Sequence, residues 1–296
     1  MTDLNIIDRK NLPSFPNISA DANKKNRGHA LIIAGSKEKS GAALLSSISC
    51  VRAGVGLCTL AVPSVAHAII KSQLINVMSE EIPSNEQSVF ESSSSTLISK
   101  WVENKTAVLI GPGLAPDTNR TKWIEKLLPD ILCPLVIDAQ ALSDLGSKIS
   151  DIDFSKNKVA ITPHPGEMSK LTGLSIEEIQ KKRQGVAGTY SQKWNMVVVL
   201  KGHHTVIGFP SGTVWINEVD HPCLSVAGTG DVLAGILVSF LAQGLSIEDA
   251  SRLAVYVHGS AGRRLGLRMG MRGVVATDLF NEIPQVIHEI DSNKTA

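Results

Sequence analysis

Residues 227–235 read AGTGDVLAG, an acid set among three glycines directly ahead of a long apolar run. A helix beginning here presents backbone N–H groups without partners and the positive end of its dipole. Gly228 and Gly230 allow the main chain to approach an oxyanion closely. The amides of Gly228, Thr229 and Gly230 form a candidate anion hole. Asp231 stands beside the point where negative charge would gather, where a carboxylate can take a proton from a hydroxyl. The same acid can instead simply cap the helix, and the motif alone leaves both roles open.

Three further stretches carry residues of chemical interest. In KGHHT, residues 201–205, Lys201 suits a diphosphate, and Gly202, His203, His204 and Thr205 bring backbone amides and side-chain donors. In TPHPGEM, residues 162–168, two prolines rigidify a strand-to-helix loop and are expected to hold His164 and Glu167 outward. In GPGL, residues 111–114, Gly111 and Gly113 permit close backbone approach to a ligand. Each has a plain alternative: a turn with a solvated lysine, a structural histidine, a tight turn. Neither the GxxxxGK[ST] of a P-loop nor a GxGxxG after the first strand is present. Glycines at several strand ends instead suggest a nucleotide held by backbone nests and a helix terminus.

The elements that must position these residues are legible as short apolar runs, each closed by Gly, Pro or Asp: residues 29–35, 56–63, 106–113, 134–139, 159–166 and 196–202. They are continuously apolar, as strands covered on both faces of a parallel sheet should be. Helical patterns lie between them, over 41–54 and over 176–194, the latter opened by Ser175 with Glu178 three places on. After Asp231 the run VLAGILVSFLAQG is apolar all round and predicts a buried helix. Ser246 then opens an antiparallel neighbour. The alternation predicts a doubly wound α/β fold, a mostly parallel central sheet with helices on both faces. Ligands bind outside the carboxyl ends of such strands, where the motifs fall. One domain is expected over 25–290, with 1–24 as an extension, the ends trailing or docked on the surface, and the serine-rich 84–99 as a surface excursion.

Composition narrows the class. The 296 residues carry a net charge of +1 and are 43% hydrophobic, suited to a globular core and not to binding nucleic acid or an anionic membrane. The basic runs at 24–27, 181–183 and 263–264 read as solvated faces. Cys50, Cys58, Cys133 and Cys223 lack metal-site spacing and read as incidental thiols of a reducing compartment. No apolar stretch reaches the about 20 residues needed to span a bilayer, and no signal peptide is evident. The expected location is the cytoplasm.

Taken together, these motifs resemble the ADP/ATP-dependent NAD(P)H-hydrate dehydratases, a branch of the ribokinase-like superfamily. The resemblance runs from about Lys25 to Ile287, and AGTGDVLAG with TPHPGE is its most specific part. It implies ADP-dependent, or ATP-dependent, dehydration of (6S)-NADHX and (6S)-NADPHX to NADH and NADPH. It implies Ala42, Gly113 and His164 against the hydrated nicotinamide, the run from Lys201 to Thr205 with Gly230 against the nucleotide, and Asp231 as general base. It further implies Mg²⁺ on the phosphates, although no dedicated cluster of metal ligands stands out, and a homo-oligomer, often a tetramer. Gln140 in DAQAL replaces an acid common in that family, while Asp138 remains. Bifunctional members carry an epimerase domain of about 200 residues, for which this length leaves no room. The competing expectation is an ATP-dependent small-molecule kinase of the same superfamily, acting on a vitamin precursor or a sugar, which would share Asp231 and the anion site.

Overall fold

The computed structural model describes residues 4–91, 93–116, 120–154 and 157–292; Asp117, Thr118 and Asn119 after the GPGL stretch and the last four residues fall outside them. Among the described residues, ten strands form one sheet. In chain order they are β1 (Leu4–Ile7), β2 (His29–Ile33), β3 (Leu57–Pro63), β4 (Met78–Ile82), β5 (Ala107–Ile110), β6 (Leu135–Ile137), β7 (Val159–Ile161), β8 (Val197–Leu200), β9 (Val206–Gly208) and β10 (Val214–Asn217). Their spatial order is β1-β10-β9-β8-β7-β6-β5-β2-β3-β4. Every neighbouring pair is parallel except those that β9 makes with β8 and β10.

The six apolar runs correspond to β2, β3 and β5 to β8, and their composition follows from their position. Along β2, Ala30 and Ile32 enter one core while Leu31 and Ile33 enter the other. With a helical layer on each face, every position must be apolar. The other four strands carry no such run because they are short, antiparallel or at an edge. In β4 only Ile82 is buried. Leu4–Ile7 docks the N-terminal extension on the sheet as an edge strand parallel to β10.

The chain winds from β2 to β3 and β4 in one direction and from β5 to β8 in the other. The reversal between β2 and β5 leaves a crevice at the carboxyl ends of the strands. The apolar helix Thr229–Ala242 runs behind it, buried at every residue from Val232 to Ala242. It packs on the helix Ser40–Arg52 so closely that a Cβ on Gly235 would stand 2.1 Å from Ser49 Oγ. Ser246 caps the following helix Ile247–Met269 by accepting from the Asp249 amide. No helix among the described residues is long and apolar enough to cross a membrane.

Two expectations need correction. The segment 176–194 is two helices, Ile176–Lys181 and Arg183–Trp194, broken at Lys182. The break lets Arg183 turn inward, donating to the carbonyls of Leu200 at 2.8 Å and Lys201 at 3.4 Å, so this basic run is not wholly a solvated face. The serine-rich stretch is likewise not all surface. Its end forms the helix Ser94–Val102, with Ser94, Ser95, Ile98 and Val102 buried, and the Ser94 hydroxyl donates to the Pro83 carbonyl.

Candidate active site

At the start of the apolar helix, the capping position is taken by Gly228 at φ +90°. A side chain there would be strained, and its Cβ would lie 2.4 Å from Leu45 Cδ1. The Thr229 hydroxyl turns back to donate to the carbonyls of Leu224 and Val226, so at this residue the amide, not the side chain, is left for an anion. Asp231 is the third helical residue and not the cap. Its carboxyl is pushed up to about 7 by burial, then by Asp138, with Glu167 adding to the rise and Lys201 and Lys39 opposing it. A carboxylate that titrates near neutrality is suited to general-base work.

Beside it, the ends of β6, β7 and β8 converge. Lys201, directly after β8, places Nζ 2.7 Å from Asp138 Oδ1 and 3.9 Å from Glu167 Oε2. Burial opposes the Lys201 charge, but Asp138, Glu167 and Asp231 together hold its pKa above the ordinary lysine value. Glu167 is pushed up to about 7, chiefly by burial and further by Asp138, against the pull of Lys201. The second oxygen of Asp138 is buried without a protein partner. Three carboxylates thus face the Lys201 ammonium, an excess of acid that a proton or a bound cation offsets.

Glu167 therefore points inward, contrary to the outward orientation expected of it, with only 6% of its side chain exposed. The reason is local. His164 caps the helix Pro165–Thr172, its Nδ1 accepting from the amides of Gly166 and Glu167, while the His164 amide donates to Glu167 Oε2 at 2.8 Å. Capping fixes the neutral His164 tautomer with its proton on Nε2, half-exposed and 3.4 Å from Glu167 Oε1. Burial first, then Lys201, lowers the His164 pKa, so its neutral form is favoured.

A cavity of about 510 Å³ opens beside these groups, lined by His164, Lys201, Gly202, His203, Thr205 and Gly230 among others. Gly202 at φ +143° packs so tightly on Arg183 that a Cβ would come within 2.8 Å of its Nη1. A Cβ on Gly230 would stand 3.3 Å from Lys201 Nζ, which places the ammonium over the helix start. His203 lines the cavity, and His204 follows it at φ +51°. Ala42 and Gly113 meet elsewhere, at the crevice between β2 and β5: a Cβ on Gly113 would lie 2.7 Å from that of Ala42 and 2.6 Å from the Lys39 carbonyl. The sequence candidates thus form two groups, one around the cavity and one in the crevice. Asp231 adjoins Gly230 of the cavity and feels Lys39 of the crevice. Gln140 donates to Asp144 Oδ1 at 2.7 Å within its own helix.

The pairing of Asp138 and Glu167 with Lys201 was not evident in the sequence; 63 residues separate Asp138 from Lys201. The shared position at strand ends was the only available signal. Asn217 and His258, which also line the cavity, lie in no motif that marked them.

The architecture is that of the ribokinase-like fold: a ribokinase-like superfamily protein from Enterococcus faecalis superposes with a TM-score of 0.80 at 24% identity, over 97% of this chain and 96% of that one. More narrowly, residues 30–285 match the family described as NAD(P)H-hydrate dehydratase, and the chain belongs to that family. An ADP/ATP-dependent NAD(P)H-hydrate dehydratase from Bacillus subtilis, co-crystallised with ATP and Mg²⁺, is 28% identical with a TM-score of 0.79, covering 94% of this chain and 95% of that one. The bifunctional NAD(P)H-hydrate repair enzyme of Moorella thermoacetica is 33% identical over 94% of this chain. The chain spans about half the length of such bifunctional relatives, 52% in that case.

Proposed function

We propose that the protein repairs hydrated nicotinamide cofactors, using ADP, or ATP in its place, to dehydrate (6S)-NADHX and (6S)-NADPHX. The observation that carries this reading is the position of Asp231, in the first turn of the helix Thr229–Ala242, next to Gly230 of the cavity and within the field of Lys39 of the crevice. The cavity, with the loop from Lys201 to Thr205 and Gly230, takes the nucleotide. The Ala42–Gly113 crevice and His164 take the hydrated nicotinamide. The likeness to a dehydratase crystallised with ATP and Mg²⁺ supports a nucleotide in the cavity.

Hydroxide leaves poorly and phosphate leaves well. Asp231 removes the proton of the C6 hydroxyl, whose oxygen attacks the terminal phosphorus of the nucleotide and displaces the shorter nucleotide. The amides of Gly228, Thr229 and Gly230, with Lys201, hold the charge on the transferred phosphoryl. The ring nitrogen lone pair then expels phosphate from C6, and loss of a C5 proton restores the dihydropyridine. The partnerless Asp138 oxygen and Glu167 offer hard oxygen ligands of the kind Mg²⁺ takes; when bound, the ion neutralises phosphate charge. Homotetramer formation and a cytoplasmic location belong to the same proposal.

Purified protein mixed with NADHX and ADP, or with ATP, should restore absorbance at the NADH band. No recovery with either nucleotide overturns the reading. A stable phosphorylated vitamin precursor or sugar, formed without NADHX turnover, would assign the site to a kinase.

A further inference from the structure

Two histidines of the loop assigned above to the nucleotide carry a second feature, which neither proton transfer nor phosphoryl transfer requires. Consecutive side chains on an extended strand point to opposite sides, yet the rings of His203 and His204 lie 3.8 Å apart between centroids. The cause is the left-handed backbone of His204 at φ +51°, a conformation that only a few non-glycine residues, histidine among them, adopt readily. Asp220, beyond β10, pins this turn. Its Oδ2 accepts from the His204 amide at 2.7 Å and lies 3.3 Å from His203 Nδ1. One ligand atom from each of His203, His204 and Asp220 falls within 4.8 Å of the others.

We propose that His203, His204 and Asp220 bind a borderline first-row divalent cation, such as Ni²⁺, Co²⁺ or Zn²⁺, at the mouth of the cavity. Two imidazoles and one carboxylate on one side of the ion form the donor set these metals favour, with the remaining positions open to water. Mg²⁺ prefers hard oxygen ligands and is excluded by the same chemistry. The backbone already holds the three groups together, so the ion has little ordering entropy to overcome. His203 and Asp220 also line the cavity, which makes the bound ion part of its entrance.

The test is titration of the metal-free full chain with Ni²⁺ by calorimetry, and with Co²⁺ by its visible absorption, with Mg²⁺ in excess. One saturable equivalent per chain is expected. His203→Ala and His204→Asn, the latter keeping the left-handed turn, should each abolish it while thermal unfolding stays unchanged. His67→Ala removes a different His–carboxylate pair, with Glu81, and should leave binding intact. Absence of saturable binding, binding retained in both rim variants, or loss only in His67→Ala each overturns the proposal. The inference is independent of the nucleotide reading: protein that binds ADP without Ni²⁺ refutes the metal site alone, and protein that binds Ni²⁺ without ADP refutes the nucleotide site alone.

Discussion

Lys201 and His203 are two residues apart on one loop, yet they belong to opposite kinds of site. Lys201 is drawn inward to Asp138 and Glu167, whose side chains are 1% and 6% exposed. His203 stands 76% exposed against Asp220. In the buried group the cation is part of the chain, and the acids outnumber it. At the rim the ligands are in place and the cation must come from solution. Burial makes the difference consequential. An unmatched charge beside Lys201 perturbs both stability and proton affinity, while the same imbalance at the rim is relieved by water.

The largest effect that would separate the two regions is on turnover. Asp231→Asn should retain ADP binding by calorimetry while losing about 10²–10⁴-fold in NADHX turnover; unchanged turnover would remove Asp231 from the chemistry. Next comes stability. Lys201→Met leaves buried carboxylates without their ammonium and should cost about 3–5 kcal/mol in urea unfolding. His203→Ala should stay within about 0.5 kcal/mol, as for other surface changes. Equal losses from the two variants would erase the contrast.

The pH dependence sharpens it further. Activity should rise through about pH 7 as Asp231, with its raised pKa, loses its proton. A rate profile flat across neutrality would contradict this. The same shift makes ionised Asp231 a burden on the fold. Its folded pKa of about 7 exceeds the ordinary 3.8, so the folded protein binds the proton more tightly and stability falls as pH rises between these values. Asp231→Asn should therefore melt higher than wild type at neutral and mildly alkaline pH, and the gain should shrink towards pH 4. The smallest expected effect is that of Gly230→Ala. Its Cβ would stand 3.3 Å from Lys201 Nζ, narrowing the anion hole at little cost to the helix, so the Michaelis constant for ADP should rise more than the melting temperature falls.

How much of this was legible depended on what each residue answers to. Strands buried on both faces declare themselves, because each buried position, from Ala30 to Ile33 in β2 and throughout β8, is apolar. Edge strands such as β1 and β4 answer to one neighbour only and leave no such trace. The glycine-rich helix start was readable for a local reason: Gly228, Gly230 and Asp231 fall within one short stretch of sequence. Asp138 with Lys201, and Asp220 with His203 and His204, are pairings made by the sheet, and nothing in the intervening residues announces them. The inward turn of Glu167 was missed because it depends on His164 acting as a helix cap, an unusual role for that residue.

The tight crossing of Thr229–Ala242 over Ser40–Arg52 has a consequence for how the chain reaches its native state. The two helices are separated by most of the molecule's length, yet they interlock to within the van der Waals radius of a single methyl group at Gly235. The later helix packs on β2 and β5, so cover of that sheet face requires residues far along the chain. Contacts at such sequence separation are slow to form, so a truncated or nascent chain ending before Asp231 exposes an apolar sheet face. Placement of Asp231 and cover of that apolar face thus depend on the same segment of chain.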